Sequence, residues 1–162
     1  RVGNDPAHHA LVKQKITELK SRISEGGPRE AVIRALLYIR MPDGDVDERG
    51  FNLLRRMRDE AGKGLTLATF KQVLREQFLM LLLDERRAIN AIPAMLAADP
   101  ELAIRMKSKL DRMIELVGVH SKPARSRLAE VEALFEREEA GIARAKQTAI
   151  STPRNGRAEK QH

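Results

Sequence analysis

The segment from Phe70 to Glu85, FKQVLREQFLMLLLDE, constrains the fold most. Apolar residues at 70, 73, 74, 78 and 81 recur at helical spacing and define one face, and Leu79, Met80, Leu82 and Leu83 then cover the remaining sides. A helix with one wet side does not carry that pattern. The last turns are therefore expected to be enclosed by neighbouring helices or by another protein surface, which makes this segment the expected central pillar of a helical domain. Phe78, Leu79, Met80 and Leu82 are the candidate interface residues.

Flanking segments repeat the helical signature. Asp5 before Pro6 opens a first helix that Gly26-Gly27 closes, with Leu11, Ile16, Leu19 and Ile23 as its sparse apolar positions. Pro28 opens a second through Arg40, whose stripe of Val32, Leu36 and Ile39 marks it as core. Met41 to Asp45 is a turn, because proline disfavours helix in the residue before it and Asp43-Gly44 supplies a positive φ. A third helix is expected from Asp45 to about Ala61, capped by Asp45 with Glu48 and burying Phe51, Leu54 and Met57. Thr66 caps the pillar. Asp84 caps a fifth segment carrying Ala88, Ile89, Ile92 and Leu96, in which Pro93 limits regularity. Asp99-Pro100 starts a sixth helix that Gly118 stops, and Ser121 caps a seventh running towards Ile150. No strand pattern or solenoid repeat appears. The expected fold is all-α, a compact bundle of about seven helices, organised as an N-terminal helix (1–27), a bundle domain (28–150) and a flexible polar tail (151–162).

Composition narrows the function. A chain of 162 residues is long enough for one core. The absence of cysteine excludes disulfides, thiolate zinc sites and a cysteine nucleophile within these residues. Aromatic content of 3% leaves no stacking platform for bases. The net charge of +7 is spread along the chain, and basic groups such as Arg55, Arg56 and Arg58 have acidic neighbours, so nucleic acid is not the expected partner. No apolar run approaches a membrane span, and the start is not a signal peptide, so a cytoplasmic location is expected. Because Arg1 rather than methionine begins the sequence, it reads as an excised domain of a larger protein.

The one cluster of metal-ligand character is the acidic turn of Asp43, Asp45, Asp47 and Glu48. Its alternate carboxylates match the opening of a calcium loop, but Glu48 stands where that loop needs glycine and Leu54 where it needs a bidentate acid. Turn and capping box account for the same residues without a cation. His8, His9, His120 and His162 have no recognisable catalytic partner, and no nucleophile elbow, P-loop or dinucleotide-binding glycine pattern occurs. Gln77 lies on the apolar stripe and needs hydrogen-bond partners, whereas Glu76 is expected at a rim or in a salt bridge.

Two resemblances rest on these residues. Ala31 to Arg40 followed by Asp43-Gly44-Asp45-Val46-Asp47-Glu48-Arg49-Gly50-Phe51 resembles the TerB family of tellurite-resistance helical domains, which implies a compact helical bundle and a divalent-metal role for the acidic residues. Phe70-Lys71, Arg75 to Phe78, Leu81 to Glu85 and Ala91 to Leu96 look like the C-terminal region of proteobacterial poly(3-hydroxyalkanoate) synthetase-like proteins, which carry an α/β-hydrolase-like domain upstream. That resemblance spans roughly Glu30 to Phe135. It implies that catalysis resides outside these residues, and that this chain is a non-catalytic accessory domain without a cofactor. Its implied partner is the upstream catalytic domain of the same protein, or a second copy in a homo-oligomer.

Overall fold

In the computed structural model, which describes residues 6–44 and 66–159, every regular element is helical. The α-helices are α1 (Pro6–Ser21), α2 (Pro28–Arg40), α3 (Leu67–Leu83), α4 (Glu85–Asn90), α5 (Ile92–Ala97), α6 (Pro100–Val117) and α7 (Lys122–Glu159). A 3-10 turn, Met41–Asp43, extends α2. Six of the seven expected helices are thus present among the described residues, with the fifth split into α4 and α5. The expected third helix, from Asp45 to Ala61, lies outside them. Pro93 explains the split, since it has no N–H to return to the Ile89 carbonyl.

Helix termini follow local rules. Thr66 Oγ1 accepts from the Thr69 N–H at 3.1 Å, Asp84 Oδ1 from Arg87 at 3.2 Å, Asp99 Oδ1 from Leu102 at 3.2 Å and Ser121 Oγ from Ala124 at 3.1 Å. Gly44 (φ 72°) ends the 3-10 turn, and Gly118 (φ 74°) ends α6, in a region of backbone space that disfavours a Cβ. Met41 departs from expectation. It keeps a right-handed helical conformation (φ −53°, ψ −41°) although Pro42 follows, because its own N–H still reaches the Leu37 carbonyl. The helical partner that Pro42 denies to the Tyr38 carbonyl is replaced by Arg127 Nη1 at 2.9 Å.

The central pillar is α2, not α3. Every residue from Ala31 to Ile39 is buried, and the helix is surrounded by α3, α4, α5, α6 and α7. Full burial of Val32, Leu36 and Ile39 contributes roughly 2 kcal/mol each. By contrast α3 buries Phe70, Met80 and Leu81, half-buries Val73, Leu74 and Phe78, and leaves Leu79 and Leu82 exposed. The reason is position: an apolar excess on a helix does not fix which neighbours cover it, and α3 lies on the flank of α2. The other layers are Ala88, Ile89, Ile92, Met95 and Leu96 from α4 and α5, Met106, Leu110 and Met113 from α6, and Val131, Leu134 and Phe135 from α7. Helix α1 packs chiefly on α3 through its C-terminal end: Leu19 and, just beyond it, Ile23 are buried, while residues 6–15 are exposed.

Candidate functional site

Burial of α2 on all sides places Arg34 inside the core with none of its surface exposed. Its Nε donates to Gln77 Oε1 at 2.8 Å, Nη1 to the carbonyls of Ile23 (2.8 Å) and Ala88 (2.9 Å), and Nη2 reaches Met80 Sδ at 3.2 Å. Ile23 follows the end of α1 and Ala88 lies in the last turn of α4, so the guanidinium supplies donors to carbonyls that helix ends leave open. Loss of solvent lowers its pKa to about 10, against a smaller opposing effect of Glu30, and the group stays charged at neutral pH. The amide that Gln77 brings to the apolar stripe is thereby satisfied. Arg34 was not foreseen, although one signal was available: it is the single polar interruption between Ala31 and Leu37.

Glu76 points elsewhere. Its Oε2 accepts from Arg22 Nη2 at 2.9 Å and its Oε1 from Gln72 Nε2 at 3.2 Å, so the expected salt bridge forms, but with the carboxylate largely buried rather than at a rim. Above this pair α1 and α3 diverge into a groove of about 460 Å³, open along one side and lined by Lys15, Leu19, Ala68, Lys71, Gln72, Arg75, Glu76 and Leu79. Glu76 and Gln77, adjacent in sequence, serve different neighbourhoods.

Of the candidate interface residues, Leu79 (37% exposed) and Leu82 (59% exposed) form an apolar ridge on α3, and Phe78 is partly buried beside it. Met80 is not part of that ridge. At 1% exposure it is a core residue, turned inward by the helical rotation from Leu79 and held against Arg34.

Asp45, Asp47 and Glu48 lie outside the described residues. The Ser121 hydroxyl, against a smaller effect of desolvation and with help from the backbone N–H groups of His120 and Ser121, holds the Asp43 carboxylate below its ordinary pKa. It is engaged with the cap of α7. Among the described residues no group of three histidine, aspartate or glutamate side chains is placed to hold a metal ion.

A third polar cluster joins α2, α4 and α7. Tyr38 Oη donates to Glu130 Oε2 at 2.7 Å, Arg86 Nη1 to Glu130 Oε1 at 2.7 Å, and the Arg127 guanidinium lies 4.4 Å from the centre of the Tyr38 ring. Burial first, and then the bond to Glu130, raise the Tyr38 pKa. Burial also pushes Glu130 upward, but the Tyr38 hydroxyl and Arg86 outweigh it and the net shift is downward. Glu85 lies 3.9 Å from Arg127 Nη2, so two guanidiniums meet two carboxylates in this cluster.

No protein-family model matches the chain, and no solved structure matches it. Over 130 residues it is 45% identical to a Rhizobium meliloti protein named "Uncharacterized protein in ackA 5'region". That match covers 79% of this chain but 18% of the relative, so the chain spans under one fifth of the curated protein it matches.

Proposed function

We propose that the chain is a non-catalytic helical accessory domain of a longer polypeptide of the poly(3-hydroxyalkanoate) synthetase-like kind, seated on the rest of that polypeptide through the ridge of Leu79 and Leu82. The observation that carries this reading is the exposure of Leu82 at 59% on the most apolar stretch of the sequence. Leaving a large aliphatic side chain in water forgoes roughly 1.5–3 kcal/mol, and a docked surface would recover it. The relative supports the choice of occupant, since most of its length lies beyond the match. The polar clusters of Arg34 and Tyr38 support an architectural role as well, because their donors and acceptors are spent on one another. On this reading the acyl-transfer or hydrolase chemistry of the whole protein belongs to strands and a nucleophile elbow outside these residues.

The absence of native cysteine gives a direct test. Leu82→Cys introduces a single thiol into this chain, and maleimide labelling at residue 82, read by peptide mass, is followed in this chain alone and in the Rhizobium meliloti protein carrying this chain in place of its matching segment. Labelling is expected to be fast in the isolated chain and several-fold slower in the longer protein. Equal rates would refute docking through this ridge.

A further inference from the structure

The groove between α1 and α3 combines two features that the accessory role does not require. Its apolar lining is Leu19, Ala68 and Leu79, and its basic lining is Lys15 from α1 with Lys71 and Arg75 from α3. The one carboxylate in the lining, Glu76, is neutralised by Arg22 and held by Gln72, so it does not cancel those charges. Neither Lys15 nor Arg75 forms an ion pair with a described residue, in contrast to Arg86, Arg127 and Lys107, each matched with a glutamate. Cations that share one groove favour an anion bound between them. From Ala68 to Leu79 the groove runs about 16 Å along α3. Its volume of about 460 Å³ falls within the range of small-molecule sites.

We propose that this groove binds an organic anion, a carboxylate or phosphate headgroup on an apolar body, with Lys15 and Arg75 holding the headgroup and Leu19, Ala68 and Leu79 covering the body. Arg75 offers a planar fork and Lys15 a point charge, a pair suited to either oxyanion. Leu82 does not line the groove, whereas Leu79 lines it and also stands in the proposed docking ridge, so the test uses this chain alone, in which that ridge is undocked.

The test is titration of the ¹⁵N-labelled chain with hexyl phosphate and with hexanoate, using hexanol, inorganic phosphate and an acidic Glu-Leu oligopeptide as comparators. Saturable shifts are expected at the amides of Lys15 to Leu19 and Lys71 to Leu79, with a dissociation constant on the order of a millimolar for the better of the two amphiphilic anions. Either headgroup supports the proposal. Hexanol and inorganic phosphate should each bind at least about tenfold more weakly, and the doubly substituted chain Lys15→Gln/Arg75→Gln should lose at least about tenfold while melting at the unchanged temperature, since both side chains are exposed. Absence of saturable shifts there, unchanged affinity of the double variant, or inorganic phosphate binding as tightly as hexyl phosphate would overturn the proposal. Tighter binding of the oligopeptide than of either amphiphile would also overturn it, in favour of a peptide groove.

Discussion

Arg34 gives the sharpest test of how this bundle is held together. Replacing it by methionine keeps an unbranched side chain of similar length but leaves the carbonyls of Ile23 and Ala88 and the amide oxygen of Gln77 without their donor. Each buried acceptor stranded in this way costs roughly 1–3 kcal/mol, so three amount to roughly 3–9 kcal/mol before relaxation. Removal of a buried cation offsets part of that loss, since the guanidinium is already desolvated enough to lower its pKa to about 10. A net loss of about 3–5 kcal/mol is expected, a large share of the ~5–15 kcal/mol that stabilises a domain. Gln77→Leu strands only Nε of the guanidinium and should cost about 1–3 kcal/mol. In the double variant neither partner is stranded by the other, so the loss should fall short of the sum of the singles by about 1–2 kcal/mol. Urea unfolding followed by far-UV circular dichroism measures all four corners of the cycle. A loss below about 1 kcal/mol for Arg34→Met, or additivity within about 0.5 kcal/mol, would refute the view that this guanidinium ties α1, α3 and α4 to α2.

Neighbouring leucines on α3 should separate cleanly: Leu81→Asp, at 1% exposure, is expected to cost over about 3 kcal/mol, whereas Leu82→Asp, at 59%, should leave stability within about 0.5 kcal/mol in thermal melts of this chain. Gly118→Ala forces a Cβ into a backbone region (φ 74°, ψ 162°) that is essentially reserved for glycine, and places it 3.0 Å from the His120 ring, for an expected loss of roughly 1–3 kcal/mol by the same melts. Glu130 has a folded pKa below its ordinary 4.5, so its stabilisation is present above that value and declines as the pH falls from there through the folded pKa. Glu130→Gln should therefore flatten the acid limb of a stability-versus-pH curve. Tyr38, with its pKa raised above the ordinary 10.0, stabilises fully below that value and loses its contribution as the pH rises through the folded pKa, so Tyr38→Phe should flatten the alkaline limb.

Local rules made much of the architecture readable. The caps at Thr66, Asp84, Asp99 and Ser121, the stop at Gly118 and the break at Pro93 each depend on a few consecutive residues, and each appears where the sequence places it. The apolar stripe of α2 was equally plain, because helical periodicity is a property of the segment itself. Of the candidate interface, Leu79 and Leu82 emerge at the surface, and of the acidic turn the described part, Asp43, is drawn into the α7 cap. Neither outcome follows from spacing, since each depends on which distant residues arrive alongside.

What the sequence alone determined, then, is an all-helical chain whose segments begin and end at identifiable caps, glycines and prolines. The tertiary structure decided which helix sits at the centre. The stripe of α2 marked it as core but did not place it at the centre: Gln77, two open carbonyls, Glu130 and Arg127 satisfy Arg34 and Tyr38 and allow that helix to be enclosed, while the more apolar α3 was left at the flank with Leu79 and Leu82 in solvent. The physical reason is that burial of a polar side chain depends on partners supplied from far along the chain, whereas helix formation and its termination depend on neighbours within a turn or two.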